Sequence, residues 1–475
     1  HRYIIFMVAL LLANFIHKLN YINAHSIWGD EAYTLWLGMH PLKEMMPAFT
    51  SGNDAPLYFL FMHFYIKLFG IDNFSIRLIS IVFNTAALAV LLQLARRFIN
   101  SRFAWYFFIL FFSSSVLLHY ALEVRPYALA TLLAACSIYF YLCILNDRHR
   151  KLKYVFAYAI VNVLLFYTHY VTAFYLAAQF VLIPFLYRFK EGSYLQFAKS
   201  YAITAIFVLP WLGILFRQLH SLKASWQTVP DLAELYRALI GFAQAEFLLH
   251  IYGLLLAYTF IVFVFGRSKQ VYNSRSALFY SFLFTFIIPV AAVYIVSLYS
   301  PLFVTRYFLY VSLSLYMAVA FAYNVLPLPN WLKIVFSFYM LFLLCRHTNI
   351  GPYTNEDWKY AMPVIKENKT LNSLILKQPE YQDGTFAYHY NKAYFKNYEQ
   401  MRTLLGNENI FGVNDSSAIG RHIRSMKPEK ILLVQTQWSI TDPNNTAVTL
   451  LDSAYNRVAL HDYMGVKVII YENKK

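Results

Sequence analysis

Four acidic side chains stand in otherwise apolar surroundings. Asp30 and Glu31 lie in Ile27-Trp28-Gly29-Asp30-Glu31-Ala32-Tyr33. Asp54 precedes Ala55-Pro56-Leu57-Tyr58, and Glu123 lies in Tyr120-Ala121-Leu122-Glu123-Val124-Arg125-Pro126-Tyr127. A carboxylate in such a place can take the proton of an attacking hydroxyl. Several together could hold a divalent cation that neutralises a phosphate, and Glu31, Asp54 and Glu123 are the candidates. Two arginines could complement them: Arg125 beside Glu123, and Arg306 in Pro301-Leu302-Phe303-Val304-Thr305-Arg306-Tyr307. The planar guanidinium fork suits phosphate oxygens. His169, in Tyr167-Thr168-His169-Tyr170, is a further titratable group. Each also has an ordinary structural reading: solvated interfacial carboxylates, arginines reaching to lipid headgroups, and a packed histidine. The 3 Cys and 14 His show no zinc-ligand spacing. No glycine loop for nucleotide phosphates is present, so no nucleotide cofactor is expected.

The elements that must position these residues are set by composition. The 475 residues are 59% hydrophobic, 19% aromatic and only 13% charged, against roughly 25% charged in a soluble domain. Apolar runs near the ~20 residues needed to cross a bilayer fall at about 3–20, 75–98, 103–120, 126–145, 154–170, 171–187, 200–216, 247–266, 277–299, 303–324 and 331–346. The shorter run at 56–70 carries His63 and Lys67 and reads as an interfacial helix. The chain is therefore expected to be a polytopic α-helical membrane protein with about eleven spans. Counted that way, thirteen basic residues fall in the short loops of one face. The positive-inside rule makes that face cytoplasmic, with the N-terminus inside and the C-terminus outside. Asp30, Glu31, Asp54, Glu123, Arg125 and Arg306 then share the outer face. The apolar segment from Tyr3 to Ile16 lacks a small-residue cleavage site and reads as a retained helix.

Residues 1–346 are expected to form the transmembrane catalytic domain, and 347–475 a small soluble α/β domain. The net charge of +16 sits mostly in the membrane part, which fits cytoplasmic loops against anionic lipid. No basic run suits nucleic acid. In the tail, Glu356 to Asn368 has helical periodicity. Ser373–Lys377, Phe386–Tyr390, Lys430–Gln435, Val458–His461 and Lys467–Tyr471 read as strands. Glu356 and Asp357 read as carboxylates favouring a helix start.

The motifs, in order, are Asp30-Glu31 after the first span, Asn53 to Tyr58, Ser75-Ile76-Arg77-Leu78, Glu123-Val124-Arg125-Pro126-Tyr127-Ala128-Leu129 and Arg306-Tyr307. This order resembles the GT-C integral-membrane glycosyltransferases, in particular the polyprenyl-phosphate-mannose protein mannosyltransferase and lipid A aminoarabinose transferase group, over roughly residues 1–325. Many relatives have His-Pro-Pro before the Leu-Tyr, where this chain has Asp54-Ala55-Pro56. The resemblance implies sugar transfer, with inversion, from a polyprenyl-phosphate donor to a glycan, lipid or protein hydroxyl at the outer face of a bacterial inner membrane. It implies Asp30 as general base with Glu31 as its acidic neighbour, and Arg125 and Arg306 on the donor phosphate. Asp54, Tyr58, Glu123, Tyr127, His169 and Tyr307 would then line the substrates. A lipid or sugar transporter is the alternative, but the broken helices and repeated halves of many transporters are not seen in the sequence.

Overall fold

The computed structural model describes residues 2–52, 54–146, 149, 151–186, 194–221, 228–265, 269–348 and 356–474, the side chains of 219–221 and 269–274 excepted. Asn53 and five of the basic loop residues, Arg148, Arg150, Arg188, Lys190 and Arg267, lie outside that set, as does the side chain of Lys269. The chain divides into two compact units. A helical unit comprises His1–Tyr21, Leu42–Phe61 and Arg77–Ile350; a mixed unit comprises Ile22–Pro41, Met62–Ile76 and Gly351–Lys475.

Among the described residues, six helices are long and apolar enough to cross a membrane: Arg2–Leu19, Asn73–Phe98, Tyr127–Leu145, Tyr194–Gln218, Glu246–Phe265 and Arg275–Ser297. Pro56–Phe69, Ser101–Ser113, Leu152–Thr168, Tyr170–Leu186 and Val311–Val325 are shorter apolar helices. The run expected at 103–120 is broken at Ser114. Its hydroxyl accepts from the Leu117 amide at 3.2 Å and meets Tyr316 Oη at 2.8 Å, starting a new helix at Ser115.

Several hydroxyls in these helices are satisfied within their own helix. Ser113, Thr131, Thr168, Ser281, Thr285 and Ser297 each donate to the carbonyl four residues earlier, at 2.6–2.8 Å. Hydrocarbon offers no other partner for such groups. Polar side chains also tie helices together. Ser137 Oγ lies 2.9 Å from Asn162 Oδ1 and 3.1 Å from Gln179 Oε1, its one hydrogen shared between them, and Tyr158 donates to the same Gln179 oxygen.

The mixed unit holds a five-stranded sheet. Its strands are β1 (Ser373–Gln378), β2 (Ile410–Gly412), β3 (Lys430–Thr436), β4 (Tyr455–Tyr463) and β5 (Val466–Asn473), in the order β2-β1-β3-β5-β4. β2, β1 and β3 are parallel; β5 and β4 form an antiparallel hairpin on the β3 edge. Leu374, Leu376, Ile431, Leu433 and Ile469 build the core with Val413, Ile419 and Leu451. The helix Trp358–Asn368 and four of the five expected strands are present. Phe386–Tyr390 is instead part of the helix Asp383–Tyr390, which buries Thr385, Phe386, Ala387 and Tyr388. Its aromatic content favours strands in general, but these rings fill a packed helical face and tertiary packing overrides propensity. The parallel strand Ile410–Gly412 is too short for periodicity to reveal.

Candidate active site

In the helical unit the loop after the helix Ser115–Tyr120 carries Glu123 and Arg125. Two residues of the helix Asn73–Phe98 fix its backbone. A guanidinium nitrogen of buried Arg77 donates to Leu122 O, and Ser80 Oγ donates to Glu123 O at 2.7 Å. Arg77 belongs to one of the motifs above but had no assigned role; its role is to hold this loop. His119 lies 3.5 Å from the Glu123 carboxylate, four residues away. Sequence reading missed it, because His119 closes a helix and Glu123 lies in the loop beyond, so helical periodicity does not pair them.

Arg306 enters from the short 3-10 turn Thr305–Phe308. Burial pushes the Glu123 carboxyl up, but the contact with His119 and the charges of Arg306 and Arg125 outweigh it and hold the group below its ordinary range. His169 sits in the break between the helices Leu152–Thr168 and Tyr170–Leu186. Burial first, then the charges of Arg125 and Arg306, lower its pKa to about 3, so it is neutral. Its ring packs against Tyr307 at 5.2 Å and Tyr127 at 6.0 Å between centroids. The Arg125 guanidinium lies 5.9 Å from the Phe59 ring centroid. Glu123, Arg125, Tyr127, His169, Arg306 and Tyr307 are therefore neighbours in the helical unit. Two guanidiniums face one carboxylate among them, so these three charged groups carry a net +1. Asp54 contributes its carbonyl, which accepts from Tyr170 Oη at 3.3 Å, and Tyr58 is fully buried.

Asp30 and Glu31 belong to the mixed unit, in the first turn of the helix Gly29–Met39. Carboxylates suit that positive end. Glu31 is 1% exposed and turns back to accept the Trp28 amide at 3.4 Å, while Asp30 is half-buried. The tail braces the chain just before them. Lys359 N donates to Ser26 Oγ at 2.9 Å, and His389 Nε2 is 2.8 Å from Ile27 O. A Cβ on Gly29 would stand only 3.3 Å from Gln382 Nε2, so a glycine suits this approach.

Glu356 does not behave as a helix-start carboxylate. Asp357 occupies the cap position of Trp358–Asn368, without a side-chain capping bond, whereas Glu356 is 3% exposed. Its oxygens accept from Trp358 Nε1 at 2.8 Å and Gln382 Nε2 at 3.1 Å. Burial, opposed by those bonds and by Gln437 but reinforced by the charge of Asp30, raises its pKa to about 7. Sequence spacing gives no hint of this, because Glu356 and Asp30 are more than three hundred residues apart.

The three cation candidates are divided between the units, Glu31 in one and Asp54 and Glu123 in the other. Among the described residues, no three His, Cys, Asp or Glu side chains gather as metal ligands would.

A family model described as dolichyl-phosphate-mannose-protein mannosyltransferase matches residues 53–214, a stretch that includes Glu123, Arg125 and His169. No curated protein matches the chain by sequence. Among solved structures, ArnT from Cupriavidus metallidurans bound to undecaprenyl phosphate superposes with a TM-score of 0.58 at 12% identity, covering 98% of this chain and 97% of that one. The mycobacterial arabinofuranosyltransferase AftD matches with a TM-score of 0.49 at 12% identity, over 99% of this chain and 40% of that one. By family model over residues 53–214 and by fold over nearly its whole length, the chain resembles the GT-C membrane glycosyltransferases of the protein mannosyltransferase and ArnT group.

Proposed function

We propose that the protein transfers a sugar from a polyprenyl-phosphate donor to a hydroxyl of a glycan, lipid or protein acceptor, with inversion, at the outer face of the membrane. The observation that carries this reading is the gathering of Arg125 and Arg306 around Glu123 and neutral His169. The likeness to a structure bound to undecaprenyl phosphate supports the donor class. In the reaction, the acceptor oxygen attacks the anomeric carbon from the side opposite the phosphate. Its proton passes to Asp30. The bond from the anomeric carbon to the phosphate oxygen breaks, and its electron pair stays on the polyprenyl phosphate. Negative charge therefore grows on the phosphate as the bond breaks. Arg125 and Arg306 stabilise that charge more in the transition state than in the ground state. Glu123 holds the two guanidiniums in place, and His169, being neutral, adds no competing charge.

The deciding experiment uses purified full-length protein with a polyprenyl-phosphate sugar. Asp30→Asn should bind the donor normally and lose ~10²–10⁴-fold in turnover. Near-normal turnover in that variant defeats the assignment of the base.

A further inference from the structure

The mixed unit contains a pocket of about 360 Å³ that no step above uses. That size falls within the roughly 300–1,000 Å³ usual for small-ligand sites. One wall is the helix carrying Asp30, with Gly29, Ala32, Tyr33 and Trp36; the other comes from the tail, with Tyr381, Asp383, Tyr398 and Arg402. All of these residues lie within the mixed unit. The residues on either side of Asp30 and Glu31 thus form part of the lining.

The lining pairs rigid rings with a fixed polar cluster. Tyr33 and Trp36 stack at 6.0 Å between centroids. Trp36 meets His40 at 4.2 Å, and His40 stacks on Tyr398 at 3.9 Å. His40 Nδ1 is held 2.7 Å from Trp36 O. Beside this ladder Asp383, 5% exposed, is gripped by buried Lys377 and by Arg402 Nε at 2.7 Å, and Arg402 also reaches Glu380 at 3.0 Å. Asp383 is thereby fixed in orientation, while Arg402 remains 67% exposed and able to donate further hydrogen bonds.

We propose that this pocket is the saccharide subsite of the acceptor. The C–H face of a pyranose is weakly positive and packs on the negative face of an aromatic ring. Its hydroxyls then need fixed charged donors and acceptors at the ring edge, which Arg402 and Asp383 supply. A lipid tail would leave that cluster unused, and an extended peptide has no need of a ladder of rings. The inference rests on the transfer reading, because it places the acceptor hydroxyl on the helix of the proposed base.

Saturation-transfer NMR on the full chain in nanodiscs, with methyl glycosides of mannose, glucose, galactose and rhamnose as probes, tests it. At least one glycoside should receive saturation on its ring protons. Trp36→Ala and Arg402→Ala should each weaken its binding by tenfold or more, while Trp36→Phe retains it and polyprenyl-phosphate binding is unchanged in all three. The proposal is overturned if no glycoside binds, if Arg402→Ala binds as wild type, or if an acceptor peptide alone occupies the pocket. The readout is binding, so it separates from the base assignment. Saccharide binding that depends on Trp36 and Arg402 stands even if Asp30→Asn proves active, and normal loss of turnover in Asp30→Asn does not rescue the pocket.

Discussion

A carboxyl group buried beside another carboxylate keeps its proton late, and Glu356 is such a group. Its pKa rises from the ordinary 4.5 to about 7 in the folded chain. The folded state therefore binds the proton more tightly than the unfolded one. The resulting stability is fully present below pH ~4.5 and is lost as pH rises through about 7, a change of about 3 kcal/mol. Thermal unfolding of the detergent-solubilised protein should accordingly show a lower Tm at pH 8 than at pH 5. Glu356→Gln should flatten that component; an unchanged pH profile in the variant would show that Glu356 is not the titrating group. A second expectation belongs to the arginines. Arg125→Gln or Arg306→Gln should weaken binding of polyprenyl phosphate by about 1.5–3 kcal/mol, roughly 10- to 150-fold in Kd. Equal binding by both variants removes the phosphate role. Glu123 and Arg125 were legible in the sequence because two opposite charges beside Pro126 interrupt long apolar runs. Glu356 was not, because its burial and its acidic neighbour arise only when distant segments meet.

Elements formed largely where hydrophobic period and run length were unambiguous. The apolar helices and β1, β3 and β5 declare themselves by length or by Val and Ile content. The helix Asp383–Tyr390 did not, because its aromatic residues read equally well as a strand until the burial of Phe386 and Tyr388 decides. Tyr388 also donates to Ile71 O at 3.1 Å, a partner far away in sequence. β2 was invisible for a similar reason. Its three residues exist because β1 accepts them in parallel register, Ile375 opposite Ile410 and Lys377 opposite Gly412. Gly412 is the tight point, since a Cβ there would lie 2.9 Å from the Glu380 backbone. Gly412→Ala should destabilise the mixed unit by about 1–3 kcal/mol through overpacking, visible as a lowered Tm. It should also disturb the contact between Glu380 and Arg402. A wild-type Tm in Gly412→Ala shows that this approach can relax without cost.

At the scale of the whole molecule, the division into units shows what the tail folds with. The segments Ile22–Pro41 and Met62–Ile76 fold with Gly351–Lys475. The tail thus braces the helix of Asp30. Deletion of 356–475 removes Lys359, His389 and Gln382 from around Ser26 to Gly29, so it should abolish turnover outright. Turnover that survives the deletion, merely with altered acceptor preference, contradicts this. Orientation is a separate matter and rests on charge. We propose, from the eleven spans and thirteen basic loop residues expected from the sequence, that the tail, and Asp30 with it, lies outside the cytoplasm. Asn444 is an exposed tail position suited to a reporter cysteine. With Cys136, Cys143 and Cys345 replaced by serine, Asn444→Cys should react with a membrane-impermeant thiol reagent in intact spheroplasts. A polyprenyl donor presents its sugar on one leaflet only, so the base must share that side. Labelling of Asn444→Cys only after lysis would reverse the topology, and the transfer would then have to occur on the cytoplasmic leaflet.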